Sequence, residues 1–453
     1  MSDTFPTWLR MARSSGSALI QPGVEAVITM LAVLATLLCT STIAPGSGPA
    51  VLAVVLCVSL SRSHMDRDLR GRLEAAVALP LVGFVAIGVG WLLRNMPWVG
   101  ASAFVAGMFL SIWLRNLGSM ARRAGRLIAL PFVTLLTVPH VHASPGGALP
   151  PVLVPLIVAL LSLLWVTVFH LLARQCRLLP PVEAVEETPS APSPQSSLRP
   201  TASTRMAIQM AVALALSFVV GYLCFAERWA WIVLTAFIVH SGNRGRLDVA
   251  YKSGLRVLGA AGGTVLAMSL SFHTGANPTT TGVLILVALF FGVWLRPLGY
   301  AWWALFVTLA LALLQGFGAQ PPATVLWLRL EEIVIGAVIG LASAWLVLPV
   351  RSTDVLRRRL ADALAAMAEA TDPATPLRSP SRVAKKLDEL EDMAAPFRAA
   401  RRITRRFRDI QPADWVDTLL ACRAPAIAGL LAPRPAIARR RPPGPPSRRR
   451  RFR

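Results

Sequence analysis

Acidic residues are scarce in this chain: 23 Asp and Glu stand against 46 Lys and Arg in 453 residues, a formal net charge of +23. Charge of either sign is also scarce, at 15% of residues against roughly 25% in an ordinary soluble domain. That shortage excludes one large soluble core as the main design. Cysteine is sparse as well. Cys39, Cys57, Cys176, Cys224 and Cys422 include no pair at the spacing of a metal knuckle or a redox motif. Of the six histidines, His140 and His142 come closest to a metal site, and no third ligand is near them in sequence. Lys252-Ser253 lacks the upstream glycines of a phosphate loop, and there is no HExxH and no nucleophile elbow. No enzyme, cofactor or metal centre is therefore implied. The N-terminus lacks the short apolar core and cleavage site of a secretory signal, so the first apolar segment is expected to stay as an anchor.

What the chain does have is apolar residues, 55% of the total. Apolar runs of membrane-spanning character fall at about 22–42, 47–61, 74–93, 98–114, 127–139 and 150–173, and again at 206–225, 229–241, 256–272, 280–295, 299–316 and 327–349. Two sets of six invite a search for duplication. Trp113-Leu114-Arg115-Asn116-Leu117-Gly118 returns about 180 residues later as Trp294-Leu295-Arg296-Pro297-Leu298-Gly299. Trp165 against Trp345, and Ile28-Thr29-Met30 against Ile208-Gln209-Met210, fall at nearly the same offset. The pattern predicts an all-α integral membrane protein of about twelve transmembrane helices, built as two six-helix repeats of the same orientation. A C-terminal cytoplasmic helical region follows.

The basic residues gather in alternate loops. Arg70 and Arg72, Arg115, Arg122 and Arg126, and Arg244, Arg246, Lys252 and Arg256 would share one side, while 43–49, 140–150 and 316–324 carry no Lys or Arg. Such alternation fits membrane topology rather than a nucleic-acid footprint, so no nucleic-acid partner is expected. By the positive-inside rule both termini are cytoplasmic. The organisation reads as a cytoplasmic N-terminus (1–21), a first membrane repeat (22–175), a Pro/Ser/Glu-rich cytoplasmic linker (176–205), a second repeat (206–350), a cytoplasmic helical hairpin (351–410) and a disordered Arg/Pro-rich tail (411–453).

Three groups could carry function. Arg70, Arg72, Arg115, Arg244, Arg246, Lys252, Arg256 and Arg296 would line a cytoplasmic mouth that concentrates and binds organic anions. Glu331 and Glu332 are candidates for carrying a proton in a low-dielectric cavity. Gly259 with Gly263, and Gly336 with Gly340, are GxxxG pairs that let helices approach closely. His240 reads as an interfacial residue at the end of an apolar helix.

The stretch Trp229, Trp231, Leu234-Thr235-Ala236, Lys252, Arg256, Gly259, Gly262 and Gly263 resembles the fusaric acid resistance protein family, the aromatic acid exporters of bacterial inner membranes. Arg329, Glu331, Gly336, Gly340 and Pro349 match a second piece of its pattern. The resemblance covers about 206–350, with a faint echo over 20–175. It implies efflux of hydrophobic organic acids, often with a periplasmic adaptor and an outer-membrane channel as partners.

The leading expectation is thus a multi-pass inner-membrane transporter, a homo-oligomer, that exports aromatic or other amphipathic carboxylates on the proton gradient, with the anion bound between the repeats. One alternative is a passive organic-anion channel on the same fold. Another is a non-transporting membrane protein that recruits a partner through its cytoplasmic hairpin.

Overall fold

The computed structural model describes residues 7–61, 69–114, separate positions within 121–136, 150, 153–179, 202–225, 228–274, 277–315, 323–372, 380–404 and 411–423. Every regular element among them is helical. The chain forms two compact units, Met1–Arg351 and Ser352–Arg453.

In the first unit the helices are α1 (Thr7–Ile43), α2 (Ser47–Ser61), α3 (Leu69–Asn95), α4 (Pro97–Trp113), α5 (Val154–Gln175), α6 (Ala202–Cys224), α7 (Trp229–His240), α8 (Arg246–Thr274), α9 (Pro278–Trp294), α10 (Tyr300–Gln315) and α11 (Ala323–Leu346). Each expected span coincides with one of them except the fifth, 127–139, which lies mostly outside the described residues. Among the described residues, four stretches are long and apolar enough to cross a membrane: Leu19–Ile43, Val154–Gln175, Ser203–Cys224 and Arg246–Leu270. Others are shorter. The 12 residues of α7 reach only about 18 Å at 1.5 Å per residue. This is a helical, multi-pass membrane protein.

Two boundaries depart from expectation. Residues 7–21 continue α1 rather than forming a separate N-terminal segment, with Pro22 inside the helix. The basic stretch 246–256 is not a turn but the first third of α8, which runs unbroken through Arg246, Lys252 and Arg256. Asp248 and Lys252, one turn apart, pair across that first turn at 2.8 Å and favour helix there.

The helices pair in an ordered way. In the N-terminal set α1 packs on α2 and α5, and α5 also packs on α2 and α3; in the C-terminal set α6 packs on α7 and α11, and α11 also packs on α7 and α8. The sets meet where α4 lies on α6 and where α1 lies on α9. The α4–α6 junction is aromatic, with Phe104 5.6 Å from Phe218 and Phe218 5.2 Å from Trp229, ring centre to ring centre. At the α1–α9 junction Trp294 Nε1 donates to the Leu19 carbonyl at 3.1 Å. The closest seam runs between α8 and α10. A Cβ at Gly259 would stand 2.6 Å from Ala304 Cβ, and one at Gly263 would stand 2.4 Å from the Leu305 carbonyl oxygen.

The second unit holds α12 (Ser352–Thr371), α13 (Pro380–Glu391), α14 (Ala394–Thr404) and α15 (Pro412–Ala421). α12 packs on α13, and the stretch expected as one second arm is divided at 392–393 into α13 and α14. The tail expected to be disordered from 411 begins instead with α15. Gln411 and Asp414 form a reciprocal capping box at its start. Ion pairs stitch this unit together: Arg401 reaches Asp414 at 2.7 Å and Asp417 at 2.8 Å, and Arg359 reaches Glu389 at 2.6 Å. Residues 424–453 lie outside the described residues.

Candidate functional site

The helix α7 is apolar all round, as a helix must be when neighbours enclose it. Ala230 through Phe237, Val239 and His240 are all buried, with α6, α8 and α11 packed around them. Into this dry setting the C-terminal set brings ionised groups. On α11, Arg329 (2% exposed) and Glu332 (1%) sit three residues apart on one face. From α8 comes Arg256, 1% exposed and the bulkiest fully buried side chain described.

The geometry around these groups is specific. The Arg329 guanidinium carbon lies 3.8 Å from the centre of the Trp231 ring, a close cation–π stack that fixes the arginine against α7. Arg256 and Arg329 act on each other electrostatically across the α8–α11 contact, and Glu332 acts on Arg329. Glu332 Oε1 lies 3.5 Å from Nε of Arg228, which stands just before α7 with its side chain 42% exposed. Neither Glu332 oxygen has a hydrogen-bond partner, and neither does Arg256 Nε. Ionised groups taken out of water cost several kcal/mol each unless they are paired and hydrogen-bonded. A cluster of this kind is uncommon without a functional reason.

Further along α11 the same stripe becomes small. A Cβ at Gly336 would stand 2.5 Å from the Ile232 carbonyl oxygen, whereas one at Gly340 would make ordinary contact with Val239 and the His240 ring. His240, expected near an interface, is instead buried at 2% exposure; its Nδ1 lies 3.2 Å from the Ala236 carbonyl oxygen and its Nε2 has no hydrogen-bond partner.

The expected cytoplasmic mouth divides into parts. Arg244, Arg246 and Lys252 come together around the loop after α7. Asp248 accepts a hydrogen bond from the Arg244 backbone N–H at 3.0 Å and pairs with Lys252 Nζ at 2.8 Å. Lys252 Nζ also donates to the carbonyls of Gly242 at 3.2 Å and Ser241 at 3.4 Å, closing off the end of α7. Gly242 (φ +62°) and Gly245 (φ +118°) supply left-handed backbone that lets the loop turn this tightly. The Arg246 guanidinium covers Trp345 at 5.0 Å, and its backbone N–H donates to the Val350 carbonyl at 3.1 Å. Lys252 and Arg246 thus hold the fold together here. Arg256, assigned to the same mouth, lies ten residues into α8, about 15 Å from the helix start, and is enclosed. Arg296 is exposed in the short turn of 3₁₀-helix Arg296–Leu298. Arg115 and the side chains of Arg70 and Arg72 lie outside the described residues.

The acidic pair also separates. Glu332 is inside the cluster, while Glu331, about 100° around the helix, is exposed. Trp231, Arg228 and Arg329 were not among the expected site residues. An arginine three residues before a glutamate in an otherwise apolar helix is the pattern that points to them.

No curated protein and no solved structure is matched by this chain. Residues 208–343, from Ile208 on α6 to Ser343 on α11, match the family model described as fusaric acid resistance protein-like. That stretch contains α7, α8 and the buried Arg256, Arg329, Trp231 and Glu332. Over that stretch the C-terminal set of membrane helices is similar to the fusaric acid resistance protein-like family.

Proposed function

We propose that the protein is a secondary transporter of the bacterial inner membrane that exports aromatic or other amphipathic organic acids, driven by the proton gradient. One observation carries this reading. Two guanidinium groups, Arg256 and Arg329, are enclosed among membrane helices with a single enclosed carboxylate, Glu332, beside them. An excess of buried positive charge suits an anion, and its position inside the helices suits one in transit. Family membership of the same stretch points to a membrane exporter.

The wider architecture belongs to the proposal. The described helices support about twelve spans in two repeats of like orientation, with both termini cytoplasmic. Under the correspondence α1 to α6, α2 to α7, α3 to α8, α4 to α9 and α5 to α11, the pairings α1–α2, α1–α5, α2–α5 and α3–α5 map onto α6–α7, α6–α11, α7–α11 and α8–α11. The two junctions between the sets, α4–α6 and α9–α1, exchange with each other. A two-fold relation along the membrane normal produces this pattern. A homo-oligomer working with a periplasmic adaptor and an outer-membrane channel completes the reading, and no catalytic role is included.

The test is flux. Proteoliposomes holding the full chain, given an imposed pH gradient, should move labelled benzoate, and Arg256→Ala should abolish the movement. Absence of flux for benzoate and for a panel of larger aromatic acids would refute the function. Flux that is voltage-driven and indifferent to pH in both wild type and Glu332→Gln would favour a passive channel. Reporter fusions that put positions 122 and 244 on opposite sides of the bilayer would refute the topology.

A further inference from the structure

We infer that one carboxylate-bearing anion binds per chain between Arg256 of α8 and Arg329 of α11, inside the C-terminal set of helices and not on the seam between the two sets. The inference rests on the transport reading and locates its substrate.

The first argument is unmet bonding capacity. Arg256 is 1% exposed, and its Nε is buried with no hydrogen-bond partner. Arg329, across the α8–α11 contact, is aimed by its stack on Trp231. Glu332 leans toward Arg228 and receives no hydrogen bond at either oxygen. Arg256 Nε is therefore an enclosed donor with no acceptor in reach. A carboxylate brings two oxygens able to accept from two guanidinium groups at once, which is the geometry arginine recognises best. The indole face of Trp231 and the apolar wall of α7 would border the rest of an aromatic or amphipathic acid. All three ionisable side chains are enclosed, so an anion would reach them only as helices separate.

The second argument is the chemistry of the seam. A cavity of about 600 Å³ on it, between α4 and α6, is lined by residues such as Trp98, Ala101, Val105, Ala211, Ala215 and Phe218, with Ser102 as the single hydroxyl among its lining residues. No cation faces it, and Ser102 Oγ already donates to the Trp98 carbonyl. A carboxylate entering that groove would lose its hydration and gain nothing in return.

The third argument is that the described residues of the N-terminal set hold no equivalent. At the repeat offset of about 180, Arg256 falls opposite Ala75 or Ala76; with α5 laid on α11 end to end, Arg329 falls opposite Val158, Ala159 or Leu160 and Glu332 opposite Leu161, Ser162 or Leu163, none of them charged. Among the described residues of that set, the buried polar groups are Thr29, Thr36, Thr40, Ser111, Ser162 and His170, none of them a fixed charge. One set carries the anion and the other braces it.

The test measures equilibrium binding of labelled benzoate to the full-length protein in lipid nanodiscs, alongside ligand-induced thermal stabilisation. Wild type should saturate at one benzoate per chain. Arg256→Gln should bind roughly 10- to 100-fold more weakly, the loss of one charge-assisted hydrogen bond, and Arg256→Lys should recover part of the affinity. Ser102→Leu, which fills the seam groove, should leave binding unchanged. Should Arg256→Gln fail to fold, Trp231→Leu is the second variant, and it should weaken binding by freeing Arg329. Saturation at two per chain, or loss of binding in Ser102→Leu with retention in Arg256→Gln, overturns the location while leaving transport standing. No binding by wild type to benzoate or any larger aromatic acid overturns both.

Discussion

Substituting Gly263 by alanine replaces one hydrogen with a methyl group, and the consequence follows from one distance. The new Cβ would stand 2.4 Å from the Leu305 carbonyl oxygen on α10, about 1 Å short of ordinary contact, with Thr308 Cβ at 3.0 Å behind it. The obstacle is main chain and cannot rotate away. Either α8 moves off α10 by about that 1 Å along the seam, or the strain stays local; overpacking of this kind costs roughly 1–3 kcal/mol. Gly254 on the same helix is the built-in control, because a Cβ there meets nothing within 4 Å. Alanine at 254 should stabilise by roughly 0.5–1 kcal/mol through a smaller loss of backbone entropy. Arg256 lies two turns before Gly263 on the same face of α8, so a shift of α8 also carries its guanidinium away from Arg329. Thermal unfolding followed by near-ultraviolet circular dichroism should show Gly263→Ala lower by on the order of 5 °C and Gly254→Ala level or higher. Benzoate binding should fall in Gly263→Ala and hold in Gly254→Ala. Equal shifts for the two variants would refute the packing argument.

The second GxxxG pair should split: Gly336→Ala, facing the Ile232 carbonyl oxygen at 2.5 Å, should destabilise by roughly 1–3 kcal/mol, and Gly340→Ala should be close to neutral in the same melt. Gln209 donates to the Val347 and Leu348 carbonyls at 2.8 and 3.1 Å, capping the end of α11; Gln209→Leu should cost roughly 1–3 kcal/mol and speed hydrogen exchange near Leu348. Asp248→Ala and Lys252→Met remove opposite sides of one contact, so the double variant should melt well above the sum of the single losses, a coupling that a thermodynamic cycle measures directly. In the second unit, Arg401 is held charged above its ordinary range by hydrogen bonds to Asp414 and Asp417. Raising salt to about 1 M, where screening acts within roughly 3 Å, should weaken the wild-type unit more than Arg401→Ala, as read by circular dichroism of the full chain.

Length and greasiness determined a good deal. A run of apolar residues must leave water and must satisfy its own backbone, so helices at 22–42, 98–114, 150–173 and 206–225 followed from local composition alone. The helical periodicity of 355–369 and 381–404 likewise foretold the C-terminal hairpin. In the C-terminal unit α15 escaped, because ten residues bearing Trp415, Val416 and Leu419 are too short for a periodic pattern to stand out. The aromatic and glycine pattern of 229–263 pointed to the family that residues 208–343 match.

The direction in which each charge faces was not legible. Lys252 and Arg256 are one helical turn apart and look alike in sequence. The fold ties one to Asp248 and to the carbonyls ending α7, and buries the other among α7, α8 and α11. Glu331 and Glu332 are neighbours in the chain, yet a 100° step around α11 leaves one exposed and one enclosed. Trp231 and Arg329 stand nearly a hundred residues apart, and nothing local announces that they stack. The sequence by itself determined which segments are apolar enough to enter a membrane, since that depends on the summed transfer energy of contiguous side chains. Which of the few charges go in with them was decided only by tertiary packing, because enclosing a charge depends on what neighbouring helices bring to meet it.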